Sequence, residues 1–141
     1  MMTGLAIRMG HALGLHRDGS NFEHLTPFEV EMRRRVWWAL CMLDVRASED
    51  QGTDYTITGG SFDTKIPLNI NDIDIDPDLK QVPQEHEGLT DMSMARVSIG
   101  MCDIARQMMA HGFKDRAPSL EEQTRLLNKI YHDLEQGFLQ Y

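Results

Sequence analysis

The sequence predicts an all-α fold, and three observations lead to that expectation. Two segments begin with side chains that cap helices, and four segments repeat apolar residues at spacings of three and four. No stretch alternates apolar and polar residues strongly enough to predict a sheet. We therefore expect one multi-helix domain over residues 1–141, with an irregular segment at 51–89 draped across the helices. The helices are expected near residues 3–14, 27–49, 91–111 and 120–138.

The first helix is predicted to end at Gly14. A glycine can take the left-handed conformation that follows a last helical turn, and Leu15 can then fold back on the apolar side of the helix. A polar turn from His16 to Asn21 should follow. The apolar stripe of this helix is predicted to consist of Leu5, Met9, Ala12 and Leu13.

The second helix has the most strongly marked beginning in the chain. Thr26 can accept a hydrogen bond from the N3 amide, Pro27 suits the first helical position, and Glu29 can reach back to complete a capping box. Its main apolar stripe is predicted to comprise Phe28, Met32, Val36, Leu40 and Leu43.

Two adjacent tryptophans widen the apolar surface of this helix. About 100° separates neighbouring residues around a helix, so Trp37 and Trp38 cannot share one face. One of them is expected in the core. The other either contacts a neighbouring helix, which we favour, or lines a groove that could receive a ligand.

The helical period disappears between Gly52 and Gly88, where glycine pairs and prolines interrupt the chain. A structureless loop of this length is unusual in a compact domain, so we expect it to lie across the helices. The residues expected to anchor it are Tyr55, Ile57, Phe62, Ile66 and Leu68.

The last two helices are predicted from periodicity and capping. The third should start near Thr90 or Asp91 and end at His111–Gly112, and Ser119 with Glu122 supplies a capping box for the fourth. The third stripe is predicted as Met94, Val97, Met101, Ile104 and Met108, and the fourth as Leu127, Ile130, Leu134 and Phe138.

Composition narrows the classes of function. The chain carries 14 Lys and Arg against 22 Asp and Glu, a net charge of -8 that makes it a poor ligand for phosphate backbones. Arg8, His11, His16 and Arg17 break the apolar run that a signal peptide requires, and no stretch approaches the roughly 20 apolar residues of a membrane span. We expect a soluble protein that makes no direct contact with nucleic acid or membrane.

The run of three arginines, Arg33 to Arg35, could be interpreted as a nuclear-import or phosphate-binding cluster. Helical spacing instead favours ion pairs within the second helix, from Glu29 to Arg33 and from Glu31 to Arg35. A structural role is also favoured for His16, Arg17 and Asp18, with Asp18 capping a turn or pairing with Arg17.

Metal and catalytic interpretations are weak. Asp72, Asp74, Asp76 and Asp78 alternate as calcium ligands do, but a calcium loop counted from Asp72 needs glycine and glutamate where Pro77 and Pro83 stand. The six histidines lack zinc-ligand spacing. We therefore expect no catalytic, cofactor-binding or metal-binding residue in this chain.

An enzyme remains a minority interpretation, because it would require groups distant in sequence, such as Asp44, His16 and His111, to converge in one cleft. The two cysteines, Cys41 and Cys102, are interpreted as small buried hydrophobes.

Methionine is over-represented, with ten residues, five of them near the third helix. Core filling is the favoured use of these flexible side chains, although their adaptability makes this face our preferred place for a regulatory switch. The five are Met92, Met94, Met101, Met108 and Met109.

Four motifs together carry a family resemblance: L-G-L-H-R-D-G from Leu13, T-P-F-E-x-E-x-R-R-R-V-W-W from Thr26, C-M-L-D from Cys41, and F-D-T-K-I-P-L-N-I-N-D from Phe62. They resemble the middle homology region of fungal zinc-cluster transcription factors. The chain departs from that pattern after Asp50, where relatives often carry G-R-P. The matching positions, which mark fold or regulation, are His16, Arg17, Asp18, Pro27, Phe28, Glu29, Arg33, Arg34, Arg35, Trp37, Trp38, Asp44, Phe62, Asp63, Pro67, Asn69, Asn71 and Asp72.

The resemblance implies a nuclear regulatory domain and no enzyme. Such a region modulates transcription through contacts with other parts of its own protein, with transcriptional regulatory proteins or, in some relatives, with a small effector. DNA binding and zinc would then belong to a zinc cluster outside this chain, which we expect to be a fragment. The alternative is a stand-alone helical module that docks a protein partner through Trp-lined or Met-lined grooves.

Overall fold

The computed structural model describes residues 2–110 and 119–136, and the described residues contain helices but no strand. This confirms the all-α prediction. The stretch from 52 to 92, here called the draped segment, is irregular apart from a 3-10 turn at Asp72–Asp74. The α-helices are α1 (Met2–Ala12), α2 (Pro27–Gln51), α3 (Ser93–Ala110) and α4 (Leu120–Leu134).

The end of α1 follows the predicted chemistry. Gly14 takes a φ of 69° and donates its N–H to the His11 carbonyl at 2.9 Å. The N–H of Leu15 reaches the Gly10 carbonyl at 2.9 Å, which completes a Schellman motif and turns Leu15 into the core.

The predicted stripe of α1 is wrong. The buried residues are Ile7 and Gly10, whereas Leu5, Met9 and Leu13 are 62%, 57% and 64% exposed, and Ala12 is exposed as well. Glycine decides the outcome, because a Cβ added at Gly10 would lie 2.6 Å from Cδ1 of Leu40 on α2. The helices approach along the smallest residue, so the larger apolar side chains face outward.

The beginning of α2 confirms the capping box. The Thr26 hydroxyl accepts from Glu29 N at 3.2 Å, and the Glu29 carboxylate accepts from Thr26 N at 2.8 Å. The helix ends two residues later than predicted, at Gln51, and Gly52 follows with a φ of 62°.

The predicted main stripe of α2 is also wrong. Phe28 and Leu40 are half-buried, while Met32, Val36 and Leu43 are exposed. The buried face contains charged groups that find partners inside the protein, which offsets the cost of removing them from water. Its members are Glu31, Arg34, Trp37, Trp38, Cys41, Asp44, Val45 and Ser48.

The core lies between α1, α2, α3 and the draped segment. Both tryptophans belong to it, because Trp37 is 0% and Trp38 is 4% exposed. Trp38 donates its indole N–H to the Lys65 carbonyl at 3.0 Å, so its polar contact is with the draped segment and not with a neighbouring helix. Ile57 anchors that segment as predicted, Ile66 is exposed instead, and Ile70 is buried in addition.

In α3 the predicted stripe does not face the core. The helix begins at Ser93, and its buried residues with Met92 just before it are Ile99, Cys102 and Arg106. Met94 and Met101 are exposed, and Val97 and Ile104 are half-buried. The side chains of Met108 and Met109 and the predicted end at His111–Gly112 lie outside the described residues.

The start of α4 confirms the second capping box, between Ser119 and Glu122. α4 packs against α3, and its half-buried leucine and isoleucine residues are Leu126, Ile130 and Leu134. Leu127, placed on the stripe by prediction, is exposed. Phe138 lies outside the described residues. None of the described helices has the length and apolar character needed to cross a membrane.

Candidate functional site

Most of the motif positions lie where α2 meets the draped segment, and three buried carboxylates organise that junction. Asp18, Glu31 and Asp44 are at most 2% exposed. Each accepts a hydrogen bond from a backbone N–H of the draped segment. We call these three carboxylates the carboxylate clamp.

Asp18 makes the densest set of contacts in the clamp. Its two oxygens accept from Nε and a terminal nitrogen of Arg34, each at 2.8 Å, in a bidentate buried ion pair. They also accept from Lys65 N at 3.0 Å and from the N–H and hydroxyl of Ser20. Burial alone would raise the pKa of Asp18, but the hydrogen bonds from Arg34, Ser20 and Lys65 N outweigh it and hold that pKa well below its usual range.

The position of Asp18 corrects one pairing and supports another. It caps the 3-10 turn Gly19–Asn21, as predicted. Its ion-pair partner is Arg34, whereas Arg17 lies 3.5 Å from Asp63 on the draped segment. Asp63 in turn accepts from Asp18 N at 2.7 Å, so the two chain segments exchange hydrogen bonds in both directions.

Glu31 forms the second part of the clamp. It accepts from Arg35 Nε at 3.0 Å, which confirms the predicted i,i+4 pair, and from Leu68 N at 3.2 Å. Arg35 extends the contact to Asp72 at 2.9 Å. The predicted Glu29–Arg33 pair does not form, because Glu29 caps the helix.

Arg33 instead joins α2 to the end of α1. It donates to the Leu13 carbonyl at 2.9 Å, and its guanidinium lies 5.5 Å from the centre of the Phe22 ring.

Asp44 forms the third part, at the far end of α2. It accepts from Thr56 N at 3.1 Å and Ile57 N at 2.8 Å, and a terminal nitrogen of Arg106 lies 3.6 Å away. Arg106 belongs to α3 and also donates to the carbonyls of Ile57 and Cys41. This contact joins α2, α3 and the draped segment at one buried point.

An aromatic cluster fills the space between these polar contacts. The ring of Phe62 lies 5.4 Å from both Trp37 and Trp38, and His11 meets Trp37 edge to face at 5.2 Å. His16 lies 5.0 Å from His11, and burial together with His11 and Arg17 lowers the pKa of His16.

Both cysteines are buried and free, as expected, and burial raises the pKa of Cys41 to about 12. Such a thiol stays protonated at neutral pH and packs as a small apolar group.

The remaining motif residues tie the draped segment to the start of α3. The Asn69 amide nitrogen donates to the carbonyls of His86 and Gly88, and its oxygen accepts from Thr90. Asn71 accepts from Asp91 N at 3.0 Å. Buried Pro67 offers its carbonyl to Arg96.

The alternating aspartates have local structural partners. Asp72 binds Arg35, Asp74 accepts from Asn71 N and contacts His86 at 2.6 Å, and Asp76 accepts from Asp78 N. Among the described residues no group of three or more His, Cys, Asp or Glu is arranged to hold a metal ion.

A second feature lies on the other side of α3. An open groove of about 510 Å³ runs between α3, α4 and the last part of the draped segment. The stripe that the sequence assigned to the core lines its wall, with Val97, Met101 and Ile104 facing Ile130 and Leu134. We call this feature the α3–α4 groove.

The sequence could have indicated one of two further residues of this junction, Glu31, but not the other, Arg106. Glu31 shares a helical face with Arg34, Trp38 and Cys41, so a search for buried charges on the tryptophan face would have found it. Arg106 carries no such signal, because its partners lie 49 and 65 residues away.

The catalytic alternative receives no support from these positions. Asp44 is occupied by Thr56, Ile57 and Arg106, and His16 lies in the aromatic cluster. His111 lies outside the described residues.

Comparison with known proteins gives a consistent result. The sequence model of the fungal specific transcription factor domain matches residues 1–137. Aurofusarin cluster transcription factor aurR2 of Gibberella zeae is 43% identical over 100 residues, covering 70% of the chain and 15% of that protein. Pyriculol/pyriculariol biosynthesis cluster transcription factor 1 of Pyricularia oryzae is 34% identical over 92 residues, covering 65% and 12%.

A third relative, C6 finger domain transcription factor hasF of Aspergillus fumigatus, is 36% identical over 96 residues, covering 65% of the chain and 13% of that protein. The chain therefore spans less than a fifth of the length of these curated relatives. No solved structure matches it.

Proposed function

The chain belongs to the fungal specific transcription factor domain family, and we propose that it is a regulatory domain of a nuclear transcription factor that controls a biosynthetic gene cluster. Two relatives are named for such clusters, aurofusarin in one case and pyriculol and pyriculariol in the other. A role of the domain in transcriptional regulation follows from the family. Control of a biosynthetic gene cluster is the more specific part of the proposal.

The carboxylate clamp is the observation that supports a role in protein contacts and not in catalysis. The hydrogen-bond partners of its three carboxylates, Asp18, Glu31 and Asp44, are backbone N–H groups and guanidinium groups inside the protein. A catalytic carboxylate must instead meet a substrate in a cleft. The clamp makes the draped segment a fixed part of the helical body, which gives a partner one defined surface.

DNA contact in this proposal belongs to a zinc-cluster domain elsewhere in a longer protein. The net charge of -8 opposes binding of this chain to a phosphate backbone. One relative carries the C6 finger domain in its name. The partners of the chain would then be other parts of the same transcription factor and further regulatory proteins.

The test is made on the full-length protein in the organism that encodes it. An epitope-tagged protein should be nuclear and enriched by chromatin immunoprecipitation upstream of clustered biosynthetic genes. Deleting the gene should change the transcripts of the same genes. A protein that is absent from chromatin, with unchanged cluster transcripts after deletion, would contradict the proposal.

A second candidate, a stand-alone helical protein-binding module, is favoured by one observation. The outward stripe of α1, with Met2, Leu5, Met9 and Leu13, is apolar and exposed in the described structure. Exposed apolar patches often mark protein contacts. Upstream coding sequence discriminates the two, since six cysteines with zinc-cluster spacing would establish the transcription factor and their absence would favour the module.

A further inference from the structure

The α3–α4 groove has the size of a small-molecule site. Its volume of about 510 Å³ lies within the range of roughly 300 to 1,000 Å³ that small ligands occupy in proteins. The draped segment forms one end of the groove through Ile66, Asn69 and His86. The groove is therefore bounded on three sides by parts of the chain.

A glycine in the middle of α3 keeps the groove open. Gly100 lines the cavity, and a Cβ added there would have no heavy atom within 4 Å. Glycine in a helix interior is less favourable than alanine, so a helix normally carries one where a neighbour approaches closely. No neighbour among the described residues does so at Gly100, and the space above it is available to a ligand.

One side of the groove is apolar and adaptable, while polar and charged residues, among them Glu87 and Asp133, form the rest of its lining. Val97, Ile104 and Ile130 supply branched surfaces, and Met101 adds a flexible thioether that is 57% exposed. Methionine fits irregular shapes because it is unbranched and polarisable. This side suits the aromatic or alkyl part of a ligand.

One end of the groove carries hydrogen-bond donors that the protein itself holds in position. Arg96 donates to the Pro67 carbonyl and to Glu85, and Ser93 accepts from Thr90 N at 2.7 Å. A guanidinium has five N–H donors and a serine hydroxyl has one, so both can also donate to a ligand. Fixed donors favour an acceptor group on that ligand, since little ordering is needed on binding.

From these observations we propose that the α3–α4 groove binds a small molecule with an aromatic or alkyl body, whose anionic or carbonyl-type acceptor group meets Arg96 and Ser93. The biological role of this site rests on the proposed function, because such a molecule would act as an effector of the regulatory domain. Binding itself depends only on the groove.

The test uses two fluorescent probes on the purified chain. The first is 8-anilinonaphthalene-1-sulfonate, an aromatic anion, and the second is N-phenyl-1-naphthylamine, which has the same rings without the sulfonate. The anion should bind saturably at one site. Gly100→Leu should weaken its affinity by about tenfold, because the new side chain occupies the groove.

Gly4→Leu is the matched control, since Gly4 is also helical and has open space around an added Cβ, but lies on α1. It should leave binding unchanged. Arg96→Met should weaken the anion by about tenfold and leave the neutral probe nearly unaffected. Circular dichroism melts verify that each variant is folded.

Absence of saturable binding, or binding that survives Gly100→Leu, would overturn the groove assignment. Equal losses of both probes in Arg96→Met would overturn the acceptor end. The assay contains no DNA, so its failure leaves the transcriptional role standing, and unchanged transcripts after gene deletion would leave the groove standing.

Discussion

The two faces of α3 contrast sharply in how they are packed. One face, with Ile99, Cys102 and Arg106, is buried against α2 and the draped segment, where carboxylates and guanidinium groups bind one another. The other, with Val97 and Met101, forms the wall of the α3–α4 groove and stays partly open. The more apolar face is the less buried one.

The contrast shows what chooses a buried face in this chain. Asp18, Glu31 and Asp44 are buried because each has partners that replace its hydration, and Gly10 is buried because it lets α1 approach α2. The apolar content of a helix face therefore does not by itself determine whether that face is buried. Chemically similar substitutions in the two regions should therefore differ widely in their effect on the free energy of unfolding.

The largest difference is expected for truncation of a large apolar side chain. Trp37→Ala should lower the free energy of unfolding by about 3 to 5 kcal/mol, since Trp37 is fully buried among His11, His16 and Phe62. Met101→Ala should lower it by less than about 1 kcal/mol, because an exposed side chain leaves no cavity. Urea unfolding followed by circular dichroism measures both.

A Trp37→Ala protein as stable as the wild type would place the tryptophan helix outside the core and remove the contrast. Leu127→Ala on α4, another exposed position, serves as a second control and should behave as Met101→Ala does.

Breaking the carboxylate clamp should be nearly as costly. Asp18→Ala leaves Arg34 buried without its bidentate partner and should destabilise the chain by about 3 kcal/mol. Arg17→Ala removes an ion pair in which Arg17 is mostly exposed, and should cost less than about 1 kcal/mol. Equal effects of the two variants in the same urea assay would show that burial of the Asp18 pair contributes little.

Acid should weaken the clamp in a defined pH range. The pKa of Asp18 is depressed in the folded protein, so its contribution is present above its unfolded value of about 3.9 and is lost as pH falls below it. The stability difference between wild type and Asp18→Asn should therefore shrink as pH is lowered from about 5 to 2. A difference independent of pH over this range would mean that the carboxylate charge is not what holds Arg34.

The sequence was sufficient for the elements but not for their faces. Helix starts at Thr26 and Ser119 and the helix end at Gly14 follow from local chemistry that needs no knowledge of the rest of the chain. Burial of Glu31 or Arg106 depends on partners tens of residues away. Apolar periodicity cannot see such partners.

The candidate sites show the same division. The motif residues of α2 and the draped segment could be named from sequence, whereas their joint action through backbone N–H groups of Lys65 and Ile57 could not. The methionine-rich face of the third helix is the predicted place for a switch. Among its described members Met101 lines the open groove, whereas Met92 is buried. That placement depends on Gly100 and on the position of α4.

The smallest effects should come from glycines, and their signs should differ between the end of α1 and the α3–α4 groove. Gly14 has a φ of 69°, a conformation that costs other residues roughly 1 to 2 kcal/mol, so Gly14→Ala should destabilise by about that amount. Gly100 is in a regular helix with open space, so Gly100→Ala should stabilise by about 0.5 to 1 kcal/mol. Thermal melts of the two variants measure the signs directly. Loss of stability in Gly100→Ala would mean that something fills the groove, because an added methyl group would then have met a neighbour.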